Sequence, residues 1–173
     1  MLRSDFLRAF AALGARLGTP AEIVVAGGSA LLLLGIIDRS TADADTVSSH
    51  PKLSTLARDV SAVADELGLA PSWLNDGVTA YRDLLPPDFP SRTVVVGRFG
   101  QLSVRVLGRQ DLIVMKMAAG RPRDLDDLRA LAPTAAEVAF VDEQLSRINK
   151  VSPRDALHIQ LYLEQHSPAP KRS

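Results

Sequence analysis

The chain has 173 residues, 46% of them apolar, no cysteine and a formal net charge of zero. That length predicts one domain with a real core, and the missing thiols exclude disulfides, thiolate zinc sites and a cysteine nucleophile. The longest apolar run, near residues 31–34, is far short of the roughly 20 residues that span a bilayer, so a cytoplasmic protein without membrane association is expected.

In chain order, Ser4 is expected to cap a first helix whose apolar stripe is Phe6, Phe10, Leu13 and Leu17. Gly18, Thr19 and Pro20 stop it. Ile23 to Val25 then reads as a buried strand, Gly27-Gly28 as a turn, and residues 29–35 as a buried helix. A second strand is predicted over residues 43–47. Leu56, Val60, Val63 and Leu67 recur four, three and four apart, which predicts an amphipathic helix over 54–67 that ends at Gly68. Residues 71–90 read as irregular. Two strands follow, over 93–96 and 102–107, joined by a turn at Gly97 and Gly100. Asp111 is expected to cap a helix through Met117. A break at residues 120–122 precedes a helix over 124–131. Thr134 with Glu137, and Ser152 with Asp155 and Pro153, start two last helices that end near Asn149 and Gln165. The expected order is αβαβαββαααα, an α/β (α+β) fold of one domain over residues 1–166. A loose tail is expected over 167–173, where Pro168, Pro170, Lys171 and Arg172 cluster.

Charge is unevenly spread. Residues 41–90 carry eight acids and three bases, whereas residues 98–129 carry seven bases and four acids. The two stretches would suit a cation and a polyanion respectively, or they are simply solvated faces.

The strand-to-helix turn Gly27-Gly28-Ser29 has the composition of a phosphate cradle, since glycines allow close approach of a ligand and a helix start offers N–H groups. It also reads as a tight turn with Ser29 as N-cap. Asp43 and Asp45 lie two apart, which on a strand places both carboxylates on one face. Such a pair suits Mg²⁺, which takes oxygen ligands from one or two carboxylates plus substrate phosphates. It would equally suit an exposed turn. Lys116 interrupts an apolar helix, so it must reach water, a carboxylate or a ligand's phosphate. Asp124 and Asp127 lie three apart on one helix face. The histidines show no metal spacing, and His158 reads as structural.

The combination of Gly27-Gly28-Ser29 with Asp43-x-Asp45, after 13 intervening residues (30–42), resembles the first motif of the nucleotidyltransferase superfamily. The finer pattern Arg39-x-Thr41-x-Asp43-x-Asp45 is similar to the AbiEii/MenT-like toxin-type branch. So are Asp111-Leu112 with Lys116, the run Arg123-Asp124-Leu125-Asp126-Asp127-Leu128, and the short segment Trp73-Leu74-Asn75. The resemblance covers roughly residues 5–135. It implies a small mixed sheet flanked by helices, and an enzyme that moves a nucleotide from an NTP to an acceptor. It further implies Mg²⁺ (or Mn²⁺) on Asp43 and Asp45, nucleotide contacts from Gly27, Gly28, Ser29, Arg39 and Thr41, and catalytic roles for Asp43, Asp45, Lys116, Asp124 and Asp127. In that branch Lys116 would neutralise developing charge, and Asp124 or Asp127 would orient or deprotonate the acceptor hydroxyl. A tRNA acceptor and a cognate antitoxin are the implied partners. The strand over 102–107 lacks the third carboxylate of polymerase-like members. A small-molecule or protein nucleotidyltransferase, or a non-catalytic module that keeps the fold, are the alternatives.

Overall fold

The computed structural model describes residues 1–166; the tail expected over 167–173 lies outside the described residues. The chain divides into two compact units. One comprises Met1–Arg82 and Pro87–Gly108, the other Asp83–Pro86 and the chain from Arg109 onward.

The first unit is built on a five-stranded mixed sheet. Its strands are β1 (Ala21–Val25), β2 (Ala44–His50), β3 (Leu74–Asn75), β4 (Val94–Phe99) and β5 (Leu102–Val106), in the spatial order β3-β2-β1-β5-β4. The central strand β1 pairs antiparallel with β2 and parallel with β5. β2 pairs parallel with β3, and β4 antiparallel with β5. Alternation assigns the faces: Ile23, Val25, Leu102, Val104 and Val106 are all buried, whereas Ser103 and Arg105 are half-buried.

The core is supplied by α1 (Arg3–Arg16), α2 (Gly27–Leu33) and α3 (Ala57–Leu67), with a four-residue α4 (Phe89–Arg92) before β4. The helical stripe expected in α1 is the buried one: Phe6, Phe10 and Leu13 have no exposed surface. Phe10 lies 6.0 Å from the rings of both Trp73 and Phe99, at tilted angles typical of aromatic packing. Trp73 is fully buried and its indole N–H donates to the Val60 carbonyl at 3.1 Å. α1 presses against the β4–β5 turn. A Cβ on Gly14 would lie 1.7 Å from the Phe99 carbonyl oxygen, so only glycine fits there. α3 ends at Gly68, whose φ of 63° is the left-handed helix stop the sequence predicts.

The second unit holds α5 (Arg109–Ala119), α6 (Pro122–Leu131), α7 (Ala135–Val151) and α8 (Pro153–His166). α6, α7 and α8 each pack on α5. Arg147 of α7 donates to the carbonyls of Asp83 and Leu84, which fastens residues 83–86 to these helices. Among the described residues no helix is long and apolar enough to cross a membrane.

Several expectations are corrected. Ser4 lies inside α1, because the Asp5 carboxylate accepts the Leu2 N–H at 2.8 Å and moves the helix start upstream. Gly97 is part of β4 at a register shift, and Gly100, with φ of 56°, makes the turn. Asp111 sits within α5, fully buried, and is not its cap. Residues 71–90 are not wholly irregular: they contain β3 and a 3₁₀ turn over Thr79–Leu84. The second strand starts at Ala44 and runs on to His50, which leaves Asp43 just ahead of it. The capping box of Thr134 and Glu137 forms as expected, and Pro153 opens α8.

Candidate functional site

β1 delivers the chain through Ala26, the N-cap, directly into α2, so Gly27 and Gly28 open the helix where a turn was expected, and Ser29 lies inside it and is not its cap. Gly27 has a φ of 66°, a conformation glycine adopts without steric cost. Just before it, the Ala26 N–H donates to the Asp45 carbonyl at 2.8 Å. This bond ties the glycine turn to the start of β2. A Cβ on Gly27 would meet Oδ2 of Asp45 at 3.2 Å. A Cβ on Gly28 would meet Thr41 Cγ2 at 3.3 Å and the two Arg39 terminal nitrogens at 3.9 and 4.0 Å. Gly27, Gly28, Arg39, Thr41 and Asp45 therefore converge in the first unit. Both glycines keep part of their surface open. Ser29 does not: it is 1% exposed, and its hydroxyl donates to the Ala26 carbonyl at 3.1 Å. That bond fixes the turn.

Asp43 and Asp45 are both half-buried and are linked through one residue of β3. Asn75 stands opposite Asp45 in the parallel register, and its side-chain amide donates to Asp43 Oδ2 at 3.2 Å. The Asn75 Oδ1 accepts the Gly77 N–H at 2.8 Å, which directs the amide nitrogen toward Asp43. In the sequence Asn75 stands out only as part of the family-like segment Trp73-Leu74-Asn75. Its role depends on pairing between strands about 30 residues apart, and no local spacing encodes that.

Register also defines the sheet face. Val25 pairs with Thr46 on the buried side, so Asp45 belongs to the opposite side, with Val24 and Arg105. β5 carries no carboxylate there. Arg105 is turned toward the sheet edge, donating to the Thr93 hydroxyl at 2.6 Å and its carbonyl at 3.0 Å. At the far end of this face His50, Glu22, Ser103 and Arg98 stand in register across four strands and line a cavity of about 300 Å³. Its carboxylate and guanidinium oppose each other in charge, so it lacks the single sign of potential that a triphosphate demands.

Lys116, Asp124 and Asp127 come together in the second unit. The Lys116 ammonium lies 2.7 Å from Asp124 Oδ1 and 2.7 Å from Asp127 Oδ2, and all three side chains are buried. Of the routes open to a lysine in an apolar helix, this one takes carboxylates. Gly120, with φ of 59°, lets the chain turn from α5 into α6, and the i, i+3 spacing puts both acids on one side of α6. Arg121 completes the group, its Nε 2.6 Å from Asp124 Oδ2. Burial pushes the Asp124 carboxyl up, but hydrogen bonds and charge from Arg121 and Lys116 outweigh it and hold it below the usual carboxylate range. His158 is structural: its Nδ1 donates to the Ala118 carbonyl at 2.8 Å.

The model of the family described as nucleotidyltransferase of unknown function (DUF6036) matches residues 7–136. The chain belongs to that family. No curated protein and no solved structure matches the chain.

Proposed function

We propose that the protein binds a nucleoside triphosphate at the Gly27-Gly28 turn and transfers its nucleotide to an acceptor. The observation that carries this reading is the approach of Asp45 to the Gly27 backbone, with Arg39 and Thr41 beside Gly28. A glycine pair lets phosphate oxygens reach the main chain, and a guanidinium beside it matches their charge and fork geometry.

The donor set fits a hard divalent cation. Asp43 and Asp45 are two oxygen ligands beside the phosphate cradle, and Mg²⁺ takes one or two carboxylates together with substrate phosphates. Mg²⁺ or Mn²⁺ held there would neutralise charge on the phosphates and polarise the phosphorus under attack. The chain's own residues hold the geometry: Asn75 orients Asp43, the Ala26–Asp45 bond fixes Asp45 at the turn, and Arg39 anchors phosphate oxygens. Lys116, Asp124 and Asp127 enter this reading through the resemblance to the toxin-type branch, as charge neutraliser and acceptor-side acids. The same resemblance suggests tRNA 3′ ends as acceptor and a neighbouring antitoxin as partner.

The test is incubation with labelled NTPs and Mg²⁺ in the presence of total tRNA, of small-molecule acceptors or of protein acceptors. Label appearing on tRNA supports the toxin-type reading. Label on another acceptor moves the protein to that class. Asp43→Asn with Asp45→Asn must abolish transfer and Mg²⁺-dependent NTP binding while leaving the fold intact. A double variant that binds Mg·NTP like the parent removes the proposed site. If the protein is a toxin, overexpression slows growth and Asp45→Asn relieves it; equal toxicity of both forms rejects that role.

A further inference from the structure

The inner side of α8 is buried through Ala156 and Ile159, which seat the helix on its own unit. The opposite side carries Arg154, Leu157, Leu161 and Glu164, all exposed. Leu157 keeps 52% of its surface and Leu161 45%. The four residues are spaced three, four and three apart, the seam of a left-handed helix pair. A charge of one sign begins the seam and a charge of the other sign ends it, about 15 Å along the axis at 1.5 Å per residue.

We propose that this face is a homodimer interface, in which α8 packs antiparallel against α8 of a second copy. The seam is self-complementary in one register. Antiparallel pairing about the midpoint between Leu157 and Leu161 sets Leu157 against the second copy's Leu161 and Arg154 against its Glu164. The two-fold axis repeats both contacts. Two leucine layers are thus closed at each end by an ion pair. Parallel pairing would instead set arginine on arginine and glutamate on glutamate, which costs energy. Among the described residues neither Arg154 nor Glu164 is in an ion pair. The inference is independent of the proposed nucleotide site.

The experiment is sedimentation equilibrium of the full chain and its variants over about a hundredfold range of concentration, with circular dichroism to verify folding. The parent's mass should rise with concentration toward twice 18.6 kDa. Leu161→Glu should hold it at the monomer mass. Arg154→Glu and Glu164→Arg should each weaken association roughly tenfold, because each sets two like-charge pairs across the axis. Combining the two reversals should restore the parent's dissociation constant to within about twofold. A parent that stays monomeric throughout overturns the proposal and leaves the face to a partner of different sequence. A dimer untouched by Leu161→Glu, or double reversals that fail to recover, also overturns it.

Discussion

Oδ2 of Asp45 lies 3.2 Å from the position a Cβ on Gly27 would occupy. The missing side chain is therefore what lets a carboxylate and the turn backbone share one small volume. Under the proposed function, the same gap is where a phosphate oxygen would approach. Two constraints act on the same residue, since Gly27 has a positive φ as well as this close neighbour.

Gly27→Ala should separate strain from site. Alanine in the left-handed region costs about 1–2 kcal/mol, readable by urea denaturation, and its methyl crowds Asp45. The variant should lose Mg²⁺-dependent NTP binding as well. Gly35→Ala is the control: Gly35 has φ of 72° and open space around it, so it should lose similar stability and keep NTP binding. Equal NTP affinity in both variants would count against the glycine-turn site.

Asn75 is predicted to position Asp43 without touching the reacting atoms. Asn75→Ala removes the 3.2 Å hydrogen bond to Asp43 Oδ2. Losses of residues that orient metal ligands typically cost about 10–100-fold in metal affinity. Transfer by Asn75→Ala should need correspondingly more Mg²⁺ and approach the parent's rate when Mg²⁺ is saturating. A rate deficit that Mg²⁺ fails to relieve would give Asn75 a different role.

How much of this was legible in the sequence depends on the range of the interaction. The Gly-Gly-Ser and Asp-x-Asp motifs, the Gly68 stop and the Thr134 capping box are local, and residue type with spacing reveals them. For Lys116 the sequence leaves three routes open, namely water, a carboxylate or a phosphate, and only the packing of α6 on α5 selects the carboxylates of Asp124 and Asp127. What failed was decided by competition or distance. Asp5 displaced Ser4 as the group that satisfies the start of α1. Gly97 looks like turn chemistry but serves a register shift inside β4. The tie from Asn75 to Asp43 exists only once β2 and β3 pair, so no window of sequence contains it.

Lys116 is expected to be a stability determinant whatever its part in chemistry. Lys116→Met leaves Asp124 and Asp127 buried without their shared cation, and removing one partner of a buried ion pair typically costs about 3–5 kcal/mol. Arg121 still serves Asp124, which places the expected loss toward the lower end. Adding Asp124→Asn and Asp127→Asn should recover part of it, because the uncompensated charges are then gone. Urea denaturation of the single and triple variants measures both. A single variant as stable as the parent would mean that the carboxylates find protons or water at no cost.

Glu137 makes the clearest pH prediction. Its carboxylate accepts Arg109 Nε at 2.9 Å and the Thr134 N–H at 2.9 Å. The Arg109 hydrogen bond is the leading cause that holds its acidity below the ordinary value of 4.5; burial opposes it, and the Thr134 bonds add to it. A folded-state value below the unfolded one means that folding favours the charged form. The stabilisation is then complete above pH 4.5 and is lost as pH falls through the lowered folded value. Glu137→Gln keeps the shape and removes the charge. At neutral pH it should be about 1.5 kcal/mol less stable than the parent, the size of a hydrogen bond to a charged group. The gap should narrow below pH 4.5 and close once pH has fallen through the lowered folded value, where the parent's own carboxyl takes up its proton. Denaturation curves of both proteins across that range test it, and a gap that stays constant through the acid limb would show that Glu137 acts by shape alone.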